Sequence, residues 1–389
     1  NPFGGEPERL TDSRTGVRAF AWAPDGKRVA YVADRAPTAD EERRRRDRDD
    51  PIVVDSAYAF ARLWVLDVDA RRATEVVSAD VTVSDPQWSP DGTRLAYVAH
   101  PTPRADDGPF GDVWVVSAAG GSAPRKLYEN EGPDAAPRWS PDGRTIAVLT
   151  RAGPAREVGM PRLAVVPADG GTPRVVAPDF AYQAGPATWS ADGRTLYFPA
   201  ATRTTSNLFA VPASGGAPRA LLDGRMLVTD VSHSRDLATV ALVRTDVRTP
   251  RDVWVARLTA RGVDAPRRVT DHNPQVRDLA LGRSEVLRYR GPGGLEVEGI
   301  VVYPADHQPG RAYPTIVQVH GGPAGVWAER FPDSHGSYAH VWAGRGWVVF
   351  QPNPRGSTGY GEPFLRANLK DWGGGDYGDI QAGLDTLVA

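Results

Sequence analysis

Through most of this chain, apolar and polar residues alternate with a period of two, in short runs broken by Gly, Pro and Asp. That period puts successive side chains on opposite faces and predicts β-strands. Four segments repeat the pattern almost word for word: Trp22–Val32 (WAPDGKRVAYV), Trp88–Val98 (WSPDGTRLAYV), Trp139–Leu149 (WSPDGRTIAVL) and Trp189–Pro199 (WSADGRTLYFP). In each, a Trp precedes Asp-Gly, and apolar residues follow at alternate positions. Asp-Gly between apolar runs predicts a tight hairpin turn, because Gly accepts φ > 0 without a Cβ clash. Leu95, Tyr97 and Ala99 then share one face, the pattern of a half-buried strand.

A second element follows each of these and recurs once more. It reads RLWVLDV from Arg62, DVWVVSAAGGSAPRKL from Asp112, RLAVVPADGGTPRVV from Arg162, NLFAVPASGGAPRAL from Asn207 and DVWVARL from Asp252. The step from Trp64 to Trp114 and on to Ala164 is 50 residues; from there to Phe209 and Trp254 it is 45. Gly-Gly pairs at 120–121, 170–171 and 215–216 predict a second hairpin in each unit. Two hairpins per repeat make four strands, the blade of a β-propeller. Five repeats are complete, and a degenerate sixth is read around Gln275–Leu287. RLTD (Arg9–Asp12) resembles RVTD (Arg268–Asp271), so the N-terminus is expected to add an outer strand that closes a ring of six or seven four-stranded blades. The recurring Trp residues are expected in the blade cores. Ala39–Asp50 (ADEERRRRDRDD), inserted in the first repeat, reads as a solvated loop that neutralises its own charge.

After about Ser284 the Asp-Gly hairpins stop. Gly294–Pro304, Tyr313–Pro323 and Gly346–Gly361 read as strands running into Gly/Pro loops, with a short helix at Ser337–Ala343. The last segment, Asp376–Ala389, places Tyr377, Ile380, Leu384 and Leu387 on one helical face. Alternating strands and helices predict an α/β unit with parallel pairing. The organisation is therefore a propeller at 1–284, then the beginning of an α/β domain at 285–389.

Composition narrows the chemistry. The 389 residues carry 46 Lys+Arg against 48 Asp+Glu, a net charge of −2, which gives no electrostatic reason for a nucleic-acid partner. Cysteine is absent, which excludes disulfides, thiolate metal sites and cysteine nucleophiles. No apolar run approaches the ~18 residues of a membrane span, and no signal-like stretch opens the chain, so a cytoplasmic protein without membrane partners is expected. The seven His form no HExxH or i,i+4 pair; His335 and His340 read as surface or packing residues. Gly291–Gly294 (GPGG) lacks the helix of a dinucleotide site, so neither metal nor cofactor is expected.

The propeller repeats, then VHGGP (Val319–Pro323), NPRGSTGYG (Asn353–Gly361) and the helix start at Gly374–Asp379, in this order, resemble the prolyl oligopeptidase family of serine peptidases, in its acylaminoacyl-peptidase branch. The resemblance implies a propeller capping an α/β-hydrolase domain, and cleavage of short peptides by a Ser-Asp-His triad through an acyl-enzyme. In such enzymes backbone N–H groups stabilise the developing oxyanion, each worth about 2.7–4 kcal/mol. It implies that Gly322 is such a donor, that Gly321 shapes the turn, that His320 orders the loop and that Arg355 holds the NPRGSTGYG loop. Ser357 is not read as the nucleophile: Arg355-Gly356-Ser357-Thr358-Gly359 misses G-x-S-x-G by one residue. No G-x-S-x-G occurs in the 389 residues, so the resemblance implies that Ser, Asp and His lie downstream of Ala389. It also implies a homo-oligomer. The competing reading is a non-catalytic propeller binding module of TolB type with a vestigial hydrolase segment.

Overall fold

The computed structural model describes residues 4–389 except 50, 52, 54, 56, 57, 223, 235, 260, 261, 323 and 333–336, and the side chain of 265. Pro323 and His335, both singled out in the sequence, lie outside the described residues.

Five four-stranded antiparallel sheets follow one another, each ordered as its strands occur in the chain. Blade 1 is β1 (Ala19–Trp22), β2 (Arg28–Asp34), β3 (Ala61–Asp67) and β4 (Arg72–Val77). Blade 2 is β5 (Thr82–Trp88), β6 (Arg94–His100), β7 (Asp112–Ser117) and β8 (Arg125–Lys126). Blade 3 is β9 (Asp134–Trp139), β10 (Thr145–Thr150), β11 (Arg162–Pro167) and β12 (Arg174–Val175). Blade 4 is β13 (Thr188–Trp189), β14 (Thr195–Thr202), β15 (Thr205–Pro212) and β16 (Arg219–Ala220). Blade 5 is β17 (Leu227–His233), β18 (Thr239–Thr245), β19 (Asp252–Thr259) and β20 (Gly262–Arg268).

The first turn of each blade is held by an aspartate side chain, and in blades 1–4 glycine supplies the left-handed position. In blade 3 the Ser140 hydroxyl donates to Asp142 Oδ1 (2.6 Å), which also accepts the Arg144 N–H, while the Thr145 N–H donates to Ser140 Oγ. Gly143 sits in the left-handed region at φ +69°. Blades 2 and 4 repeat the motif at Ser89/Asp91 and Ser190/Asp192. The Ser89 hydroxyl and the Thr93 N–H hold Asp91 at about 2, well below the usual carboxylate range. Blade 5 carries it too, at Ser234/Asp236, with Leu237 at φ +56° in place of Gly and His233 in place of Trp. Those two substitutions hide the fifth turn from a search for Trp and Asp-Gly.

The blades pack through shared apolar layers. Leu95, Tyr97 and Ala99 face blade 1, whereas Ala96 and Val98 face blade 3. The half-buried strand expected at β6 is therefore buried on both faces, because a central blade has a neighbour on each side. Trp88, Trp139 and Trp189 are each 8% exposed and donate Nε1–H to a carbonyl of the preceding blade, at Ala21, Gln87 and Arg138. Arg28 stacks over Trp88 and Arg94 over Trp139, tying each blade to the next. Trp22, in the first blade, is 52% exposed.

Three expectations differ from the structure. The segment read as a sixth repeat holds a 3-10 turn (Pro274–Asp278) and then β21 (Ser284–Arg290), which pairs into a different sheet; it lacks the Asp-Gly and Gly-Gly turns that close a blade. Arg9–Asp12 forms no strand; Leu10 instead packs on Val29, Tyr31 and Leu66 of blade 1. The charged insertion is a helix, α1 (Ala39–Asp47), not a loop. Thr38 and Glu41 form a capping box, and Asp40 pairs with Arg43 and Arg44. Neutralisation of the segment's own charge is what lets so polar a sequence wind into a helix.

The sixth sheet is mixed, in the order β21-β22-β24-β23, with β22 (Glu296–Val302), β23 (Thr315–Val317) and β24 (Val348–Asn353). Only β23 and β24 pair in parallel; β21, β22 and β24 are antiparallel. The helices are α2 (Ala339–Ala343), α3 (Glu362–Arg366) and α4 (Gly375–Val388). Leu384 and Leu387 of α4 pack against the core of Val297, Val301 and Phe350, whereas Tyr377 is exposed. Among the described residues no helix is long and apolar enough to cross a membrane, and no group of three metal-ligating side chains occurs.

Candidate active-site loops

β23 is an edge strand, and the chain leaves it through Gln318, Val319 and His320 to reach Gly321 and Gly322. Gly322 has φ +96°, which a side chain would strain, while a Cβ on either glycine would meet no other atom within 4 Å. Among the described residues neither the Gly321 nor the Gly322 N–H has an acceptor within the protein. Gly325 is required by closeness instead: a Cβ there would lie 2.7 Å from Gly321 O and 2.8 Å from His320 Nδ1.

The second loop leaves β24 and lies beneath the first. His320 Nε2 is 3.0 Å from Ser357 Oγ, and Ser357 Oγ donates to Pro354 O at 2.6 Å. Because the serine proton points at the carbonyl, His320 donates through Nε2. The pair is thus the reverse of a nucleophile and its base, and Ser357 is fully buried. Burial pushes His320 below the usual histidine range. The Thr358 N–H closes the contact by donating to Gly325 O at 3.0 Å.

Asn353, at the end of β24, grips the backbone of Trp327 on both sides. Its Oδ1 accepts the Trp327 N–H (2.7 Å), and its Nδ2 donates to Trp327 O (2.9 Å) and to the Tyr360 hydroxyl (3.0 Å). Tyr360 donates in turn to Glu298 Oε2 at 3.2 Å; burial and that carboxylate push its phenol up, so it stays protonated. The Trp327 indole donates to Gln318 O, which closes the first loop on its own strand. Arg355 is fixed by Asp379 of α4: its Nε and Nη2 donate at 2.9 and 2.8 Å, and its own N–H donates to Oδ2 at 2.9 Å. Asp379 is fully buried, and a Cβ on Gly291 or Gly375 would collide with this pair. The Asp379 carboxylate therefore serves Arg355, rather than only the α4 terminus that its early position suggests.

The structure thus brings His320, Gly321, Gly322 and Arg355 into one pair of interlocked loops. The sequence assigned no site role to Asn353, Tyr360, Glu298 or Arg203, and it pointed Asp379 only to the helix terminus. The first two stand inside the NPRGSTGYG motif and Asp379 lies in the first turns of the final helix, whereas Glu298 alternates with Val297 as a solvent-facing residue would, so its burial has no signal in the sequence. Arg203, on a hairpin of blade 4, has no signal in the sequence. It meets Glu298 (2.9 Å) and Glu296 (2.5 Å). Other contacts between blades and loops are Arg225–Glu329 (2.9 Å), Arg162–Glu362 (3.5 Å) and His340 Nε2 with Val247 O (2.8 Å).

Comparison with known proteins agrees with this architecture. Residues 53–263, more than half of the chain, match the TolB beta propeller domain, and residues 333–389 match the prolyl oligopeptidase family. Among curated proteins, dipeptidyl-peptidase 5 of Arthroderma otae is 28% identical over 268 residues, covering 67% of this chain and 36% of the relative. Among solved structures, Pyrococcus horikoshii acylaminoacyl peptidase superposes with a TM-score of 0.75 at 20% identity, covering 98% of this chain and 58% of that one. A Mycobacterium tuberculosis puromycin-hydrolyzing peptidase superposes at 0.71 with 23% identity, covering 100% of this chain and 59% of its own. The chain spans little more than a third of the curated relative's length. By the propeller match the chain belongs to the TolB-type beta propeller family, and the second of these loops lies in the segment matched by the prolyl oligopeptidase family.

Proposed function

We propose that residues 1–389 are the propeller and the first part of the hydrolase domain of a serine peptidase that cleaves short peptides from their amino end through an acyl-enzyme. The observation that carries this reading is Gly322, an exposed residue whose N–H has no acceptor among the described residues, held in the left-handed region on a loop clamped by His320–Ser357 and Asn353–Trp327. A fixed donor of this kind stabilises charge that develops on a carbonyl oxygen and costs no reorganisation at the moment of reaction. Gly322 is the donor, Gly321 leaves the approach open, and His320 and Arg355 hold the loops. The nucleophile and its Asp and His partners come from sequence downstream of Ala389. The propeller, ending near residue 284, limits access to short unfolded chains, and no cofactor enters the reaction. The same reading includes self-association, which light scattering measures.

The test is intact-mass analysis, after fluorophosphonate treatment, of the polypeptide that carries these residues together with their continuation. One adduct on a serine outside residues 1–389, with release of acylated or free amino-terminal residues from peptide anilides, is expected. An adduct on Ser357 would overturn the placement of the nucleophile, and a folded protein that takes no label and cleaves none of the anilides would overturn the reading in favour of a binding module.

A further inference from the structure

We propose that Arg203, on the propeller, is a positioning residue for the Gly321–Gly322 loop, acting through Glu298, Tyr360 and Asn353, so that the loop is set only when the propeller is seated. The inference rests on the reading of that loop as the oxyanion site.

Arg203 occupies the tip of the β14–β15 hairpin, between the paired residues Thr202 and Thr205. Its φ of +56° is left-handed, in a position that Gly or Asn fills at lower cost. A non-glycine residue held there by its surroundings is the kind of local strain that clusters at functional positions. The surroundings are the second active-site loop. The Arg203 N–H donates to Gly359 O at 2.7 Å, and a Cβ on Gly359 would lie 2.7 Å from Arg203 O, so the two backbones fit only with glycine at 359.

The side chain continues the contact inward. The guanidinium lies over the Tyr360 ring, 5.6 Å from its centre, with Nε 2.9 Å from Glu298 Oε1. Glu298 is 1% exposed; it also receives Arg288 Nε (2.8 Å), and its other oxygen accepts the Tyr360 hydroxyl. From Tyr360 the chain of polar contacts runs through Asn353 to both backbone groups of Trp327, and from the Trp327 indole to Gln318, two residues before His320. Each link is a hydrogen bond or ion pair in a largely buried region, where such bonds reinforce one another. Arg162–Glu362 also bridges propeller and hydrolase segment, but it ends on α3 and does not enter this chain.

The experiment compares Arg203→Ala, Arg203→Lys, Tyr360→Phe, the double variant Arg203→Ala/Tyr360→Phe and the control Arg162→Ala, all in the full-length peptidase. Readouts are kcat and KM on a peptide anilide, the rate of fluorophosphonate labelling, and the Ki of an uncleaved peptide analogue. Arg203→Ala and Tyr360→Phe should each lower kcat at least about tenfold, as small displacements of a catalytic group do. Labelling should slow in parallel, with KM and Ki within about twofold; Arg203→Lys should recover part of the rate. The double variant should be no worse than the poorer single one, because both break the same path. Arg162→Ala should match the wild type. A rise in KM with kcat kept, additive losses in the double variant, or an equal loss in Arg162→Ala would each overturn the proposal. Tyr360→Phe keeps the buried ring, so it reports on the path even if Arg203→Ala fails to fold. A wild-type enzyme that takes no label would remove the underlying reading instead, and the inference with it.

Discussion

Arg355 and Asp379 show how much one residue pair contributes when it is withdrawn from water. Asp379 has no exposed side chain, so Arg355→Ala leaves an uncompensated buried charge. A loss of about 3–5 kcal/mol in unfolding free energy is expected by chemical denaturation. Arg355→Lys should recover only part of it, since an ammonium cannot reproduce the planar two-point contact. Buried histidines set a pH dependence. His100, His233, His320 and His340 are all pushed below the usual histidine value of 6.5 by burial. As pH falls through 6.5 the unfolded chain takes up protons that the folded protein refuses, so stability is full above that value and declines below it. Asp112 and Asp134, pushed up by burial, work in the opposite sense, starting from the carboxylate value of 3.8. A thermal melt should therefore show a lower midpoint at pH 6 than at pH 7.5, with a shallower slope in His320→Gln.

Repeating blades give an internal comparison at the level of the element. Trp139 is buried between blades and bonded to Gln87 O, while Trp22 occupies the same place in blade 1 with half its surface exposed. Trp139→Ala should cost about 3–5 kcal/mol. Trp22→Ala should cost clearly less, about 1–2 kcal/mol, because half of the side chain stays in water. Equal losses at both positions, measured by denaturation, would contradict the packing described. The blade turn has its own requirement: Gly143→Ala places a Cβ at φ +69°, at a cost of about 1–2 kcal/mol. The turns were legible because Asp, Gly and Ser act locally. The insertion was not, since its mean polarity suggests a loop while Thr38 and Glu41 cap a helix.

At the scale of the whole molecule, the propeller and the hydrolase segment are held by arginines on one side and buried glutamates on the other. Glu329 is 2% exposed and takes both Arg225 and the Thr204 carbonyl, the latter through its own N–H. Arg225→Ala should weaken this seating by about 1.5–3 kcal/mol, the range for hydrogen bonds to charged groups. Limited proteolysis should then cut faster within residues 269–283, which carry no strand between the last blade and β21. Unchanged cutting there would mean that the interface does not depend on the pair.

The sequence by itself determined the strand pattern, the turn positions and the two loop motifs, because alternation, Asp-Gly and Gly-Gly act over a few residues. Its spacing also spoke against Ser357 as a nucleophile, because the loop misses G-x-S-x-G by one residue. Tertiary structure decided which faces of β6 are buried, since a strand cannot show that it has neighbours on both sides. It decided that the sixth repeat is no blade, because β21 finds its partner in β22. It likewise decided that Arg203 meets Glu298, 95 residues on, and that Asp379 turns to Arg355. These are contacts between side chains whose neighbours are set by how whole sheets stack, and no local rule of sequence carries that information.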